Sequence, residues 1–337
     1  MINRIVRTTV AAIALFPLAF AVGAEPIKLK LAFYTSDRSN LYQAAIKPFV
    51  DAVNAEGTGL VEIKVHTSGT LGKGQVVQLQ LVEDGTADIA FVIPGQMSDR
   101  FQDTEIVALP GLFRNMREAT LVFTRLVAAG ALKEYRDFFV IGAFAVEPES
   151  IHTRAPVASL DDLRGMRIRV NNPTLASTLA KLGMSGVVMP ANLALEAISS
   201  GKLDGAAVPV SPLFEFGIGR IATYHYFMPF SSAPLVVLMS RKKFDGLPPQ
   251  AQDIIRKYSG EWAAERFITT FEAIERPLME QLKSDPKRKV IFPSQPDRDR
   301  AAAAFRAVTE EATNGNPRNR EILSAAESEI AKLRSSK

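Results

Sequence analysis

The sequence predicts an α/β protein of two lobes, joined by hinge strands and crossed by one long helix. Three observations predict it. Residues 27–93 read in the order β-α-β-α-β, a second run of short strands and helices starts near residue 147, and a helical pattern of unusual length starts at Pro248. Strands alternating with helices imply mainly parallel sheets with helices on their faces. No flexible linker separates the two units, so the lobes should be joined by hinge strands, with a cleft between them. The expected divisions are 25–146 plus 234–271 for the first lobe and 147–233 plus 272–337 for the second.

The first strand is 27–33 (IKLKLAF), apolar at every second position. After Tyr34-Thr35-Ser36, Ser39 or Asn40 caps a helix whose apolar face is Leu41, Ala45, Phe49 and Val53. Residues 61–65 (VEIKV) repeat the alternation, and a glycine-rich turn over 68–74 leads into a helix at 75–83. Residues 88–93 (DIAFVI) form a strand apolar enough to be buried on both faces. In the second unit, strands are expected at 166–170, 187–189 and 204–210, with helices at 173–182 and 191–200 between them. Residues 235–239 read as a buried strand. The pattern from Pro248 to about Asp285 either spans both lobes or breaks near Pro277. A short strand at 290–292 and two helices end the chain.

The N-terminus carries a compartment signal. Arg4 and Arg7 precede an apolar run over 10–22, which closes on Val22-Gly23-Ala24. The run is shorter than the ~20 apolar residues of a spanning helix and fits a secretory leader cleaved near Ala24. The expected location is therefore the periplasm. Losing Arg4 and Arg7 lowers the formal charge from +4 to +2, basic and acidic residues are interspersed, and nucleic-acid binding is excluded. The chain has no cysteine, so neither disulfides nor thiolate–zinc sites are expected.

No catalytic constellation is visible. The three histidines, His66, His152 and His225, lack the spacing of a metal site and read as surface or satisfied polar residues. Gly69-x-x-Gly72-Lys73-Gly74 lacks the spacing of a phosphate-binding loop and the hydroxyl residue that follows its lysine, although Lys73 could still face an anion in the cleft. No cofactor or metal is expected.

Residues 159–183 (SLDDLRGMRIRVNNPTLASTLAKLG) and 187–212 (VVMPANLALEAISSGKLDGAAVPVSP) resemble the DctP-type solute-binding subunits of tripartite ATP-independent periplasmic (TRAP) transporters. The stretches GTADIAF (85–91), IVALPGLF (106–113) and MSRKKFDGLPPQAQDIIRKYS (239–259) look like further landmarks of that family, in the same order. The resemblance implies a periplasmic-binding-protein-like fold and a monomer. It also implies a small organic acid as ligand, membrane permease subunits as partners and no catalysis. Alternatives are an ABC-importer binding protein, a ligand-loaded partner of a membrane sensor, and a periplasmic enzyme.

In the family the second arginine of the strand motif grips the ligand's carboxylate, and it corresponds to Arg169. Strand alternation alone puts Arg167 and Arg169 on one face and does not choose between them. A guanidinium suits the role because it stays charged when desolvated and its planar fork matches a carboxylate. Asn172 matches a polar contact position and Phe214 a pocket aromatic. Tyr34, Thr35, Ile93, Glu149 and Val208 are expected to line the rest. Val208 stands where the family has an asparagine that assists the arginine, and Ala191 where an aromatic is common. Glu149 holds a position where sialic-acid-binding members have a second arginine, and Tyr34 one where they have asparagine. These changes remove polar partners, and a buried polar group without a partner costs about 1–3 kcal/mol. A monocarboxylate with an apolar or aromatic body is therefore expected, rather than a sugar acid.

Overall fold

The computed structural model describes residues 25–335; the expected leader lies outside them. Two sheets carry the architecture. Alternating apolar residues build the first from β1 (Ile27–Ala32), β2 (Val61–His66) and β3 (Ile89–Val92), with β4 (Phe138–Ala145) added from further along the chain. The second contains β5 (Ser150–Thr153), β6 (Arg167–Val170), β7 (Ser185–Val188), β8 (Gly205–Val208) and β9 (Tyr224–Tyr226). The chain then returns to the first sheet with β10 (Pro234–Ser240) and later adds β11 (Lys289–Ile291) to the second. Strand orders are β2-β1-β3-β10-β4 and β11-β9-β5-β8-β6-β7. In the first sheet β1 runs parallel to β2 and β3, while β10 is antiparallel to both its neighbours. In the second, β6 is parallel to β7 and β8, and β5 is antiparallel to β8 and β9. The predicted strands are present, with ends shifted by one to a few residues; β4, β5 and β9 were not among the expectations.

Two segments cross between the sheets, 146–149 and 227–233, and they are hydrogen-bonded to each other. Val146 N–H donates to Ala233 O (3.1 Å), Glu149 N–H to Ser231 O (2.8 Å) and Phe230 N–H to Glu149 O (3.2 Å). This ladder satisfies backbone groups that would otherwise be stranded at the junction. A third crossing is helical. The pattern from Pro248 breaks at Gly260, whose φ of 62° suits a residue without Cβ. The helix Glu261–Ser284 then runs on through Pro277. Proline costs this helix one hydrogen bond, to the carbonyl of Ala273, and both residues lie on its exposed face, where water can take that carbonyl. Phe267, Ile268 and Phe271 enter the first sheet's core, and Leu278, Met279 and Leu282 pack into the second.

The expected second lobe, 272–337, needs one correction. Helix Pro317–Ser335 buries Ile322, Ala326 and Ile330 against Phe123, Leu126 and Tyr135, on the outer core of the first sheet. The preceding helix Gln295–Thr313 is shared: Ala301 and Ala304 join the second core and Val308 the first. Apolar spacing gives the helix but not the sheet it packs against, which is why the sequence did not reveal this.

Candidate functional site

β6 lies inside the second sheet, between β7 and β8, so its side chains are covered unless they sit at its end. This separates the two arginines that alternation left equivalent. Arg167, at the strand's start, is exposed and bonds Asp204 (3.1 Å) and Gly201 O (2.8 Å). Arg169 is 4% exposed; its Nε donates to Met189 O (2.8 Å) and its Nη1 to Ala207 O (3.1 Å). These two bonds fix the plane of the guanidinium. Nη2 makes no hydrogen bond among the described residues, which leaves one edge of the fork available. Burial pulls the Arg169 pKa down, with Glu149 and Tyr34 acting against it, and arginine stays cationic under such conditions.

Glu149 faces this group from the crossing ladder. It is 2% exposed, its Oε1 is 3.7 Å from Arg169 Nη1, and its Oε2 has no hydrogen-bond partner. At 3.7 Å the two groups face each other across a gap too wide for a hydrogen bond. Burial pushes the Glu149 carboxyl up to about 8, although Arg169 pulls it down.

The two residues line a cavity of about 60 Å³. Tyr34, Leu41, Gln75 and Ile93 enter it from the first sheet's side, and Val146, Ala233 and Leu235 from the crossing segments and β10. Asn171, Ala191, Val208, Pro209, Pro212 and Phe216 complete it from the second. Apart from Arg169 and Glu149, its polar side chains are Tyr34, Gln75 and Asn171. Four hydrogen bonds span the cleft around it: Asn40 N–H to Glu215 Oε2 (3.2 Å), Asn40 Nδ2 to Ser211 Oγ (2.7 Å), Gln96 Nε2 to Asn171 O (2.6 Å) and Thr174 Oγ1 to Glu105 Oε2 (2.5 Å).

Five of the nine sequence-predicted positions therefore meet at the cavity: Tyr34, Ile93, Glu149, Arg169 and Val208. The other four are not among its lining residues. Thr35 uses its carbonyl to accept Ser68 N–H (2.7 Å). Lys73 is exposed beside Gly74, and Gln75, two residues on, reaches the cavity instead. Phe214 packs beneath the Arg288 guanidinium, 5.3 Å from its ring centroid, and Phe216 lines the cavity after the helix Val210–Glu215 ends. Asn172 caps the helix Pro173–Lys181, its Oδ1 accepting Leu175 N–H at 2.7 Å. Its neighbour Asn171 is 3% exposed and lines the cavity with neither Oδ1 nor Nδ2 partnered. The signal was in the sequence: in Asn171-Asn172-Pro173, proline at the first helical position makes Asn172 the cap and leaves Asn171 free.

The wall behind Val208 holds the two buried histidines. β5 and β9 pair His152 directly with His225, and their Nδ1 atoms are 2.9 Å apart. His152 Nε2 is 3.0 Å from Val208 O, and Arg288 Nη1 is 3.4 Å from His225 Nε2. One tautomer set satisfies every contact. His152 donates from Nε2 to the carbonyl, His225 donates from Nδ1 to His152, and Arg288 donates to His225. Burial lowers both, to about 4 and about 3, so both are neutral. β8 approaches this wall closely: a Cβ at Gly205 would lie 2.4 Å from His152 O. Among the described residues no group of three or more His, Asp or Glu is placed to hold a metal ion.

Two sheets joined by crossing segments, with a buried arginine in the cleft between them, give the architecture of a two-lobed solute-binding protein. The chain belongs to the DctP family, bacterial extracellular solute-binding protein family 7, whose profile matches residues 31–316. Among its relatives is the 2,3-diketo-L-gulonate-binding periplasmic protein YiaO of Escherichia coli K12, 23% identical over 67% of this chain and 70% of that one. Two solved structures share the fold. One is a marine metagenome TRAP solute-binding protein specific for aromatic acid ligands, bound to metahydroxyphenylacetate, with a TM-score of 0.83 and 22% identity over 91% of this chain and 99% of that one. The other is a TRAP solute-binding protein from Rhodoferax ferrireducens T118 with copurified benzoate, with a TM-score of 0.83 and 24% identity over 92% and 99%.

Proposed function

We propose that the chain captures a small monocarboxylate with an apolar or aromatic body in the periplasm and delivers it to the permease subunits of a TRAP-type transporter. The observation that carries this reading is the free Nη2 edge of buried Arg169, set in a cavity walled mainly by Ile93, Val146, Val208 and Phe216. A carboxylate completes the fork, and the walls offer apolar contact at roughly 25 cal/mol per Å² buried but few partners for hydroxyls. The aromatic acids named for the two structural neighbours support an apolar body. The diketogulonate of YiaO is the opposite case, a polyhydroxylated acid, and Val208 and Ala191 are the reasons to expect a different ligand here.

A cavity of about 60 Å³ is well below the ~150 Å³ of one that admits benzene. A ring can enter only if the walls separate, and the walls belong to different sheets. Hinge motion about the crossing ladder, with the four cleft-spanning hydrogen bonds broken and remade, provides that separation.

Calorimetric titration and thermal shift over benzoate, phenylacetate, succinate and galacturonate test the reading. Benzoate or phenylacetate should bind tightest. Tightest binding by succinate or galacturonate refutes the apolar-body assignment, and no stabilisation by any of the four refutes the carboxylate assignment.

A further inference from the structure

We propose that Glu149 carries a proton in ligand capture: an acid's carboxylate enters the cavity together with a proton taken up on Glu149, whose O–H then donates to the bound molecule. The inference rests on the carboxylate reading of Arg169. It begins with charge. Arg169 is the one cationic side chain lining the cavity, and Glu149 already faces it at 3.7 Å. One guanidinium offsets one carboxylate. A ligand carboxylate beside an ionised Glu149 would leave a negative charge buried and uncompensated, which protein interiors avoid by protonation.

The hydrogen-bond geometry leads to the same conclusion. The neighbouring buried carboxyls have backbone donors: Glu147 accepts Met116 N–H (2.9 Å) and Glu275 accepts Ser211 N–H (2.8 Å). Glu149 has none, and its Oε2 has no partner. A proton on Oε2 converts a stranded acceptor into a donor at the cavity. An acceptor for it is available on the bound acid, and Asn171, also unpartnered, can bond the same molecule. Among the described residues, Arg169 from β6 is the charged group that acts on Glu149. Tyr34, which follows β1, is kept neutral by desolvation; Gln75 and Asn171 carry no charge; and His152 on β5 is neutral. Burial, opposed by Arg169, holds the Glu149 carboxyl near 8, so most of the proton is present at neutral pH and the remainder, larger at higher pH, is taken up as the acid binds.

The test is calorimetric titration of the tightest-binding acid of the four named above, in buffers of different ionisation heat. With the free group titrating at about 8, about 0.1 proton is taken up per acid bound at pH 7 and about 0.9 at pH 9, and affinity falls about tenfold between them. Glu149→Gln should abolish the uptake and flatten the pH dependence. No uptake by the wild type at pH 9 overturns the proposal; that result is also expected if the ligand is a zwitterion whose ammonium group pairs with ionised Glu149. Infrared difference spectra of the acid-loaded proteins at pH 9, wild type minus Glu149→Gln, supply a second readout: a protonated-carboxyl C=O band supports the proposal and its absence overturns it. The wild-type proton count needs no variant, so it stands even if Glu149→Gln misfolds. Failure of all four acids to bind at either pH overturns the carboxylate reading itself, and this inference with it.

Discussion

Replacing Arg169 with alanine removes four interactions at once. Met189 O and Ala207 O lose their donors, Glu149 loses the cation 3.7 Å away, and a ligand carboxylate loses the free Nη2 edge. Removing one partner of a buried, hydrogen-bonded charge pair costs about 2–5 kcal/mol of binding, a rise in Kd of about 30- to 5,000-fold. Arg169→Lys keeps the charge, but a single ammonium cannot hold both carbonyls and a carboxylate. Loss of one charge-assisted hydrogen bond predicts about 1.5–3 kcal/mol for that variant. Arg167→Ala is the internal control, because its partner Asp204 is at the surface, where solvent screens the pair. Calorimetry on the three variants, with circular dichroism to establish folding, reads these differences. A Kd for Arg169→Ala within about threefold of wild type, or an equal loss in Arg167→Ala, refutes the assignment of the anchor.

Two further predictions concern pH and shape. Above the ordinary histidine value of 6.5, His152 and His225 are neutral whether the chain is folded or not. There Glu149 and Glu275, raised to about 8 and about 7, bind protons that the unfolded chain has released, so stability should fall from pH 6.5 to 8. Below the ordinary carboxyl value of 4.5 those glutamates are protonated in both states. The unfolded imidazoles then hold protons that the buried pair refuses, so stability should fall again towards pH 3. Each unopposed group contributes about 1.4 kcal/mol per pH unit, and in between the two effects offset one another. Urea denaturation across this range should show a plateau between about pH 4.5 and 6.5; stability that climbs steadily from pH 6 to 8 would contradict the assignments. Small-angle scattering should show a smaller radius of gyration with saturating benzoate, and identical profiles with and without it would count against hinge closure.

Much of the sheet architecture could be read because β1 and β2 alternate and β3 is uniformly apolar, patterns that follow directly from exposure on one face or none. β5 was harder, since it is four residues long and three of them, Ser150, His152 and Thr153, are polar side chains buried by pairing with distant β8 and β9. The site divides in the same way. Arg169 was singled out by its motif, but only its place inside the sheet separates it from Arg167. Lys73 and Phe214 were each two residues from the side chain that lines the cavity, and Asn172 was one away. Turn geometry and capping set that offset, and neither follows from residue type. The pairing of the two histidines depends on strand register between residues 73 positions apart, which no local pattern encodes.

The helix Glu261–Ser284 has a consequence for how the molecule melts. Its first half is part of one core and its second half part of the other, and the helix Pro317–Ser335 returns to the first core after the chain has finished the second. Neither half of the molecule is a continuous stretch of chain, so neither can be cut out and expected to fold alone. Unfolding one core would strip apolar contacts from a helix the other depends on. Heating should therefore give a single calorimetric transition, with equal van't Hoff and calorimetric enthalpies, for a protein built on two sheets but one thermodynamic unit.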